Sequence, residues 1–268
     1  MLTSRANPRL KAFAALHRRK EREATGLTLA EGPHLAAEAL AGEGPLEALL
    51  LGESALAHPE TADLRAAAEA RGVGIVEMTD GCYARVSGLQ SPEGVAVVLP
   101  WRRLGPADVL SGTDVACVAI QGVQDPGNAG AVVRVAEAAG ATACLFLGGV
   151  DPSHPRLLRG AMGSAFRLPC ASGETPEVLR ILAEGGIRLL AAAPGGTAGA
   201  QSYDAASYER PLVLALGSEG GGLEAELLES ASARVIIPME PPVESLNVAV
   251  AAGILLYEAR RAWTASAT

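Results

Sequence analysis

The chain has 268 residues, 49% of them hydrophobic and 19% charged; that balance excludes a disordered or collagen-like polymer and, at roughly 100–200 residues per domain, accommodates two globular domains. Aromatics make up only 3%, so the cores must be built from Ala, Val and Leu, and a broad platform of stacked rings for nucleic acid is excluded. The net charge of −8 is unevenly spread: Arg5, Arg9, Lys11, Arg18, Arg19, Lys20 and Arg22 against Glu21 leave residues 1–22 at +6 and the rest at −14, which fits either a phosphate-contacting surface or a solvated helix face.

The first 100 residues alternate irregularly between helical and strand patterns. An Arg-rich helix over about Pro8–Arg22 precedes a strand near Leu27–Ala30, a helix Gly32–Ala41 and a strand near Leu46–Leu51. A helix Glu60–Ala70, a strand Gly74–Glu77, a short helix Asp80–Arg85 and a strand Gly94–Leu99 complete one small α/β domain over residues 1–100. The stretch 101–112, with its Pro and Gly residues, reads as a linker. Over 113–268 the rhythm becomes regular, with apolar runs at Val115–Ile120, Ala143–Leu147, Ile187–Ala193, Leu212–Leu216 and Arg234–Ile237. Unbroken apolar runs of this length suit strands buried on both faces, hence a parallel sheet between helices.

Several classes are excluded by what the chain lacks. The longest apolar run, Val248–Tyr257, has ten residues, well short of the ~18 of a membrane span. The basic amino terminus is not followed by the apolar segment of a signal peptide. Cys82, Cys117, Cys144 and Cys170 lie 26 to 35 residues apart without a CxxC pair or a nearby histidine set, which argues against a metal site or a disulfide framework and for a reducing cytoplasm. No GxGxxG or GxxxxGK[ST] fingerprint occurs.

Three clusters instead follow strands of the second half, where ligands bind in open α/β sheets. The first, Gln124-Asp125-Pro126-Gly127-Asn128-Ala129-Gly130, runs into a helix carrying Arg134. A turn with Asn128 as the cap explains the glycines, yet leaves Arg134 near a helix amino terminus, where the dipole disfavours a cation unless an anion is at hand. The second, Gly217-Ser218-Glu219-Gly220-Gly221-Gly222-Leu223, allows close approach to the backbone, and Glu219 favours a cationic or hydroxyl-bearing ligand over a phosphate. The third joins Ile237-Pro238-Met239 to Glu244-Ser245-Leu246-Asn247-Val248 before a final apolar helix. Ser245 or Asn247 could equally be the cap of that helix, and its small residues Ala249, Ala251, Ala252 and Gly253 suit close helix packing within one chain or between two.

In this order and spacing the clusters resemble the three signature motifs of the SpoU (TrmH) family of RNA ribose 2′-O-methyltransferases, in the SPOUT superfamily. Asn128, Gly130 and Arg134 match the first; Gly217, Ser218, Glu219, Gly222 and Leu223 the second; Ile237, Pro238 and Met239 with Ser245, Leu246, Asn247 and Val248 the third. Ala249 stands where relatives often have Ser. Ala6–Lys11 and Leu29–Gly32 are more weakly similar to the amino-terminal substrate-binding domain of members that act on ribosomal RNA.

The resemblance implies a parallel-sheet α/β methyltransferase domain with a carboxy-terminal trefoil knot, preceded by a small α/β RNA-binding domain. It implies S-adenosyl-L-methionine held by Ala193, Pro194, Leu216, Gly217, Ser218, Glu219, Gly220, Ile237, Pro238, Met239, Ser245, Leu246 and Val248. Catalytic roles would fall to Asn128, Arg134, Glu219, Ser245 and Asn247, in a cytoplasmic homodimer that needs no metal. Ribosomal RNA is the favoured substrate and transfer RNA the alternative; a non-catalytic RNA-binding homologue would have lost the motifs. A guanidinium is essentially always protonated, so Arg134 suits a phosphate clamp better than a general base. The charge distribution adds Arg5, Arg9, Lys11, Arg18, Arg19 and Arg22 to Arg134 as expected RNA contacts.

Overall fold

Proline opens many of the helices, because the first helical position needs no N–H donor; Pro8, Pro33, Pro59, Pro106, Pro126 and Pro155 each stand there. The computed structural model describes residues 1–218 and 220–265. Its helices and strands fall into two units, Met1–Arg102 with Ser153–Phe166, and Arg103–Pro152 with the chain from Arg167 onward. Among the described residues no helix is long and apolar enough to cross a membrane.

The first unit contains α1 (Pro8–Ala15), α2 (Arg19–Thr25), β1 (Leu27–Glu31), α3 (Pro33–Ala41), β2 (Ala48–Gly52), α4 (Pro59–Ala70), β3 (Gly74–Met78), α5 (Asp80–Val86) and β4 (Val95–Pro100). Its sheet runs β1-β4-β2-β3, with β4 antiparallel to both neighbours and β2 parallel to β3. Leu10 and Phe13 of α1 pack on Leu29, Leu50, Met78 and Val98 of the strands.

Where the sequence predicts one helix from Pro8 to Arg22, the structure has two, broken between Ala15 and Arg19. The break depends on Arg22, which is only 3% exposed. Its guanidinium donates to the carbonyls of Leu16 at 2.9 Å and His17 at 3.0 Å, satisfying backbone acceptors that a continuous helix would have paired internally. Its Nε donates to Ser153 Oγ at 3.0 Å, and Thr28 Oγ1 donates to the Ser153 carbonyl at 2.6 Å. These bonds explain why residues 153–166 cluster with the first unit, whereas the sequence reading assigns all of 113–268 to the second.

The second unit begins with α6 (Pro106–Val109), β5 (Ala116–Gln121), α7 (Pro126–Ala139) and β6 (Ala143–Leu147). Helix α8 (Pro155–Ala161) lies in the segment that belongs to the first unit. The second unit resumes with β7 (Cys170–Gly173), α9 (Thr175–Gly185), β8 (Arg188–Ala192), β9 (Gln201–Ser202), β10 (Leu212–Gly217), α10 (Ala225–Ser230), β11 (Ala233–Ile236) and α11 (Val248–Ala265). The strands form a parallel sheet in the order β7-β6-β5-β10-β8-β11-β9. Every residue of β5 and β6 is buried, as their unbroken apolar runs predict. The two outermost strands, β7 and β9, lack such runs and are not foreseen by them.

All four cysteines are free and buried. Desolvation pushes the Cys170 thiol up to about 12 and raises Cys117 and Cys144 as well, so these thiols stay protonated. Helix α11 packs along α7 within the same chain. A β-carbon at Gly253 would stand 3.7 Å from Val135 Cγ2, and Ala252 is fully buried, so these two small residues serve packing within the chain.

Arg22→Met should cost the full chain about 2–4 kcal/mol in urea unfolding, because it leaves buried carbonyls bare. The exposed Arg18, paired with Glu21 at 3.5 Å, should tolerate Arg18→Ser within about 0.5 kcal/mol.

Candidate active site

The first motif leaves β5 at Gln121 and turns through Gly122, whose φ of +68° favours glycine. Asp125, not Asn128, caps α7: its side chain accepts from the Asn128 N–H at 2.9 Å. Asn128 therefore sits in the first turn and lines a cavity of about 330 Å³ with Gly122, Asp125, Ser218, Gly220 and Val248. Arg134 is the ninth residue of α7. That position is about 12 Å along the helix at 1.5 Å per residue, beyond the first turn where the dipole acts, so the expected electrostatic conflict does not arise. Arg134 is exposed, lines neither this cavity nor the cleft described next, and has no ion pair among the described residues.

The second motif leaves the adjacent strand β10 at Gly217. The chain folds back at once, with the Gly222 N–H donating to the Ser218 carbonyl at 2.9 Å and the Gly221 N–H to Ser218 Oγ at 3.3 Å. A β-carbon at Gly217 would overlap the carbonyl group of Gly222 and the nitrogen of Leu223. Glycine is thus required there by steric exclusion, and at Gly222 by a φ of +64°. Glu219, expected both to hold the cofactor and to act in catalysis, lies outside the described residues.

The hairpin forms one wall of a cleft of about 410 Å³. Ala193 and Pro194, just past β8, form another, and Leu216, Gly217, Ser218 and Gly220 contribute from β10 and its loop. From the third motif come Ile237, Met239, Ser245, Leu246 and Val248, while Pro238 does not line the cleft. Asn247 takes the cap role that the sequence left open, its Oδ1 accepting from the N–H groups of Ala249 at 3.0 Å and Val250 at 3.4 Å. Ala251 and Leu255 also line the cleft; they were missed, although they follow Val248 at helical spacings of three and seven residues. Glu244, also missed, is the only ionisable side chain among the described lining residues. Small apolar side chains, exposed backbone and one carboxylate suit a partly apolar ligand that carries positive charge.

The basic residues of the first unit differ sharply in availability. Arg22 is buried and fully engaged in holding the chain, so it is withdrawn from the expected RNA contacts. Arg18 and Arg19 are exposed but pair with Glu21 and Glu23. Arg5, Arg9 and Lys11 are exposed, Arg9 lying 5.6 Å over the Phe13 ring. Arg85, 74 residues beyond Lys11 in the chain, is also exposed and lies on α5, which packs against α1.

The SpoU rRNA methylase family model matches residues 116–257, and an MRM3-like substrate binding domain model matches residues 7–97. The Bacillus subtilis 23S rRNA (guanosine(2553)-2′-O)-methyltransferase RlmP is 31% identical over 262 residues, covering 97% of this chain and 98% of its own. An uncharacterized tRNA/rRNA methyltransferase of Synechocystis is 35% identical over 273 residues, covering 99% and 95% respectively. Among solved structures, an AdoMet-bound rRNA methyltransferase from Sinorhizobium meliloti matches with a TM-score of 0.85 at 32% identity, over 97% of each chain.

Gly217→Ala should destabilise the fold by about 1–3 kcal/mol, the usual cost of forcing an extra carbon into packed surroundings. Gly220→Ala, whose β-carbon would meet nothing within 4 Å, should shift the thermal midpoint far less.

Proposed function

Because the chain belongs to the SpoU rRNA methylase family, we propose that it methylates a ribose 2′-hydroxyl of ribosomal RNA with S-adenosyl-L-methionine as the donor. The observation that carries this reading is the cleft itself. It combines apolar walls, the open backbone of a glycine hairpin and a carboxylate, with no basic side chain among the described lining residues. That chemistry fits an adenosine bearing a sulfonium and an ammonium group. Leu216, Ile237, Met239 and Leu246 would hold the apolar part, the backbone of Ser218 and Gly220–Gly222 the polar edges, and Glu244 would face the positive charge. The family's carboxy-terminal knot belongs to the same reading.

When bound, S-adenosyl-L-methionine supplies an already activated methyl group, so the protein's own residues must orient the ribose, exclude water and manage one proton. Asn128 lines the cavity that shares Ser218, Gly220 and Val248 with the cleft, which supports a role for it in orienting the ribose. Arg134 clamps the neighbouring phosphate and stabilises the developing alkoxide; its guanidinium has no acceptor to take the proton.

The active unit in this reading is a cytoplasmic homodimer. Val250 and Tyr257 of α11 are 52% and 53% exposed, with Ile254 between them on the same face, an apolar stripe that a second subunit would cover. Arg134, exposed and outside both cavities of its own chain, would then serve the partner's site. The first unit, through Arg5, Arg9 and Lys11, grips the RNA.

Calorimetry should show S-adenosylhomocysteine binding without added metal, and mapping of ribosomal RNA from cells with and without the gene should reveal one 2′-O-methylation that depends on it. Arg134→Ala should abolish methyl transfer while leaving cofactor affinity within about threefold, less than ~1 kcal/mol. Normal turnover in that variant would remove Arg134 from the mechanism.

Changing Arg5, Arg9 and Lys11 together to Ser should weaken RNA binding and flatten the salt dependence by up to about 2–3 units, at roughly 0.7–0.9 per lost phosphate contact. An unchanged salt slope would place the grip elsewhere.

A further inference from the structure

Gln121 is a long polar side chain at the end of a fully buried strand, 4% exposed itself. Its backbone is the register partner of Gly217 on the last rung of the β5·β10 ladder. Its side chain reaches the far end of the second-motif hairpin: Oε1 accepts from the Glu224 N–H at 2.8 Å, and Nε2 donates to Glu224 Oε2 at 2.9 Å and to Thr175 Oγ1 at 3.1 Å. The orientation of the amide is dictated by its partners, since a peptide N–H can only donate and a carboxylate can only accept. One residue therefore pins both ends of the loop between Gly217 and Glu224, one end through its backbone and the other through its side chain. The same residue is followed directly by Gly122, which opens the first-motif loop.

We propose that Gln121 is a positioning residue that sets the second-motif hairpin, and with it the cofactor wall, against the first-motif cavity. Ser218 and Gly220 of that hairpin line both the cleft and the cavity holding Asn128, so a displaced hairpin alters both together. The carboxamide is suited to this task because it offers an acceptor and a donor side by side to a single residue, Glu224. Methionine fills similar space but offers neither. Glutamate keeps the acceptor and sets a second carboxylate against Glu224, until a proton restores the donor.

The inference rests on the cofactor reading for its consequence, but its geometry can be tested without ligand. In hydrogen exchange on the full chain, Q121M should speed exchange at the amides of Gly221–Glu224 by about tenfold or more, while β6 and β8 keep wild-type protection. Q121E should do the same at pH 8, and the exchanged pair Q121E/E224Q, completed by E224Q alone as a double-mutant cycle, should restore protection because Gln now donates from the other side. In calorimetry, S-adenosylhomocysteine should bind Q121M and Q121E about tenfold more weakly at pH 8. Q121E should recover towards pH 5.5, and the exchanged pair should bind within about threefold of wild type.

A Gln121 that merely fills space would lower the thermal midpoint without moving the hairpin amides. Unchanged protection in both single variants, or no rescue in the exchanged pair, overturns the proposal. Should Q121M fail to fold, the comparison of Q121E with the exchanged pair decides the matter. Should the wild type fail to bind S-adenosylhomocysteine, the cofactor reading falls and the exchange measurements still decide whether Gln121 positions the hairpin.

Discussion

The last rung of the β5·β10 ladder, Gln121 opposite Gly217, is the constraint from which the site follows. Beyond it the two adjacent parallel strands send the chain in opposite directions across the sheet. Strand β5 feeds α7 and then β6 on one side, while β10 feeds α10 and then β11 on the other. A crevice opens where neighbouring strands part in this way, and both cavities lie there. Gly217 allows Gly222 to fold directly over the strand end, so on the hairpin side the crevice is walled by backbone. A larger residue at Gly217 would push the hairpin outward and remove the wall.

The chemistry divides along the same line. The cleft is apolar and lacks basic side chains among its described residues, as a positively charged donor requires, whereas the cation that would meet RNA phosphate stands outside it, exposed on α7. Placing a guanidinium inside the cleft would set like charges together in a poorly solvated space, at a cost in binding. Keeping Arg134 on the outer surface of α7 avoids that conflict. In the proposed mechanism a second subunit would then bring the arginine to the reaction, which would give the proposed dimer a chemical purpose beyond stability.

Much of this was legible in the sequence because it was written locally. Unbroken apolar runs marked the buried strands β5, β6 and β10, and the glycines and prolines marked the three loops. The cleft gathers all but one of the described residues that the motifs proposed as cofactor walls, Pro238 being the exception. What escaped depends on partners distant in the chain. Nothing near Arg22 reveals that Ser153, 131 residues away, will help to bury it, so a basic residue in a basic run read as surface. Gln121, one residue past the apolar run Val115–Ile120, gives no local sign of its role, because its meaning lies in Glu224, 103 residues on. Asn128 was read as the cap because it is a strong capping residue, but Asp125 followed by Pro126 starts the helix three residues earlier. The edge strands β7 and β9 carry too little apolar sequence to be seen, since an edge needs only one neighbour.

Helix α11 shows how one element can serve three surfaces. Ala252, Leu256 and Ala259 are buried, and Gly253 brings α7 close. Val248, Ala251 and Leu255 line the cleft. Val250 and Tyr257 face outward. These sets are successive stripes of an 18-residue helix, whose internal hydrogen bonds make it move as a rod. A rod packed on α7 along one stripe fixes where its other two stripes lie. The cleft wall and the outer apolar stripe therefore stand in a set relation to Arg134, which is carried on α7 itself, so the position of any subunit seated on that stripe is defined relative to both the arginine and the cleft.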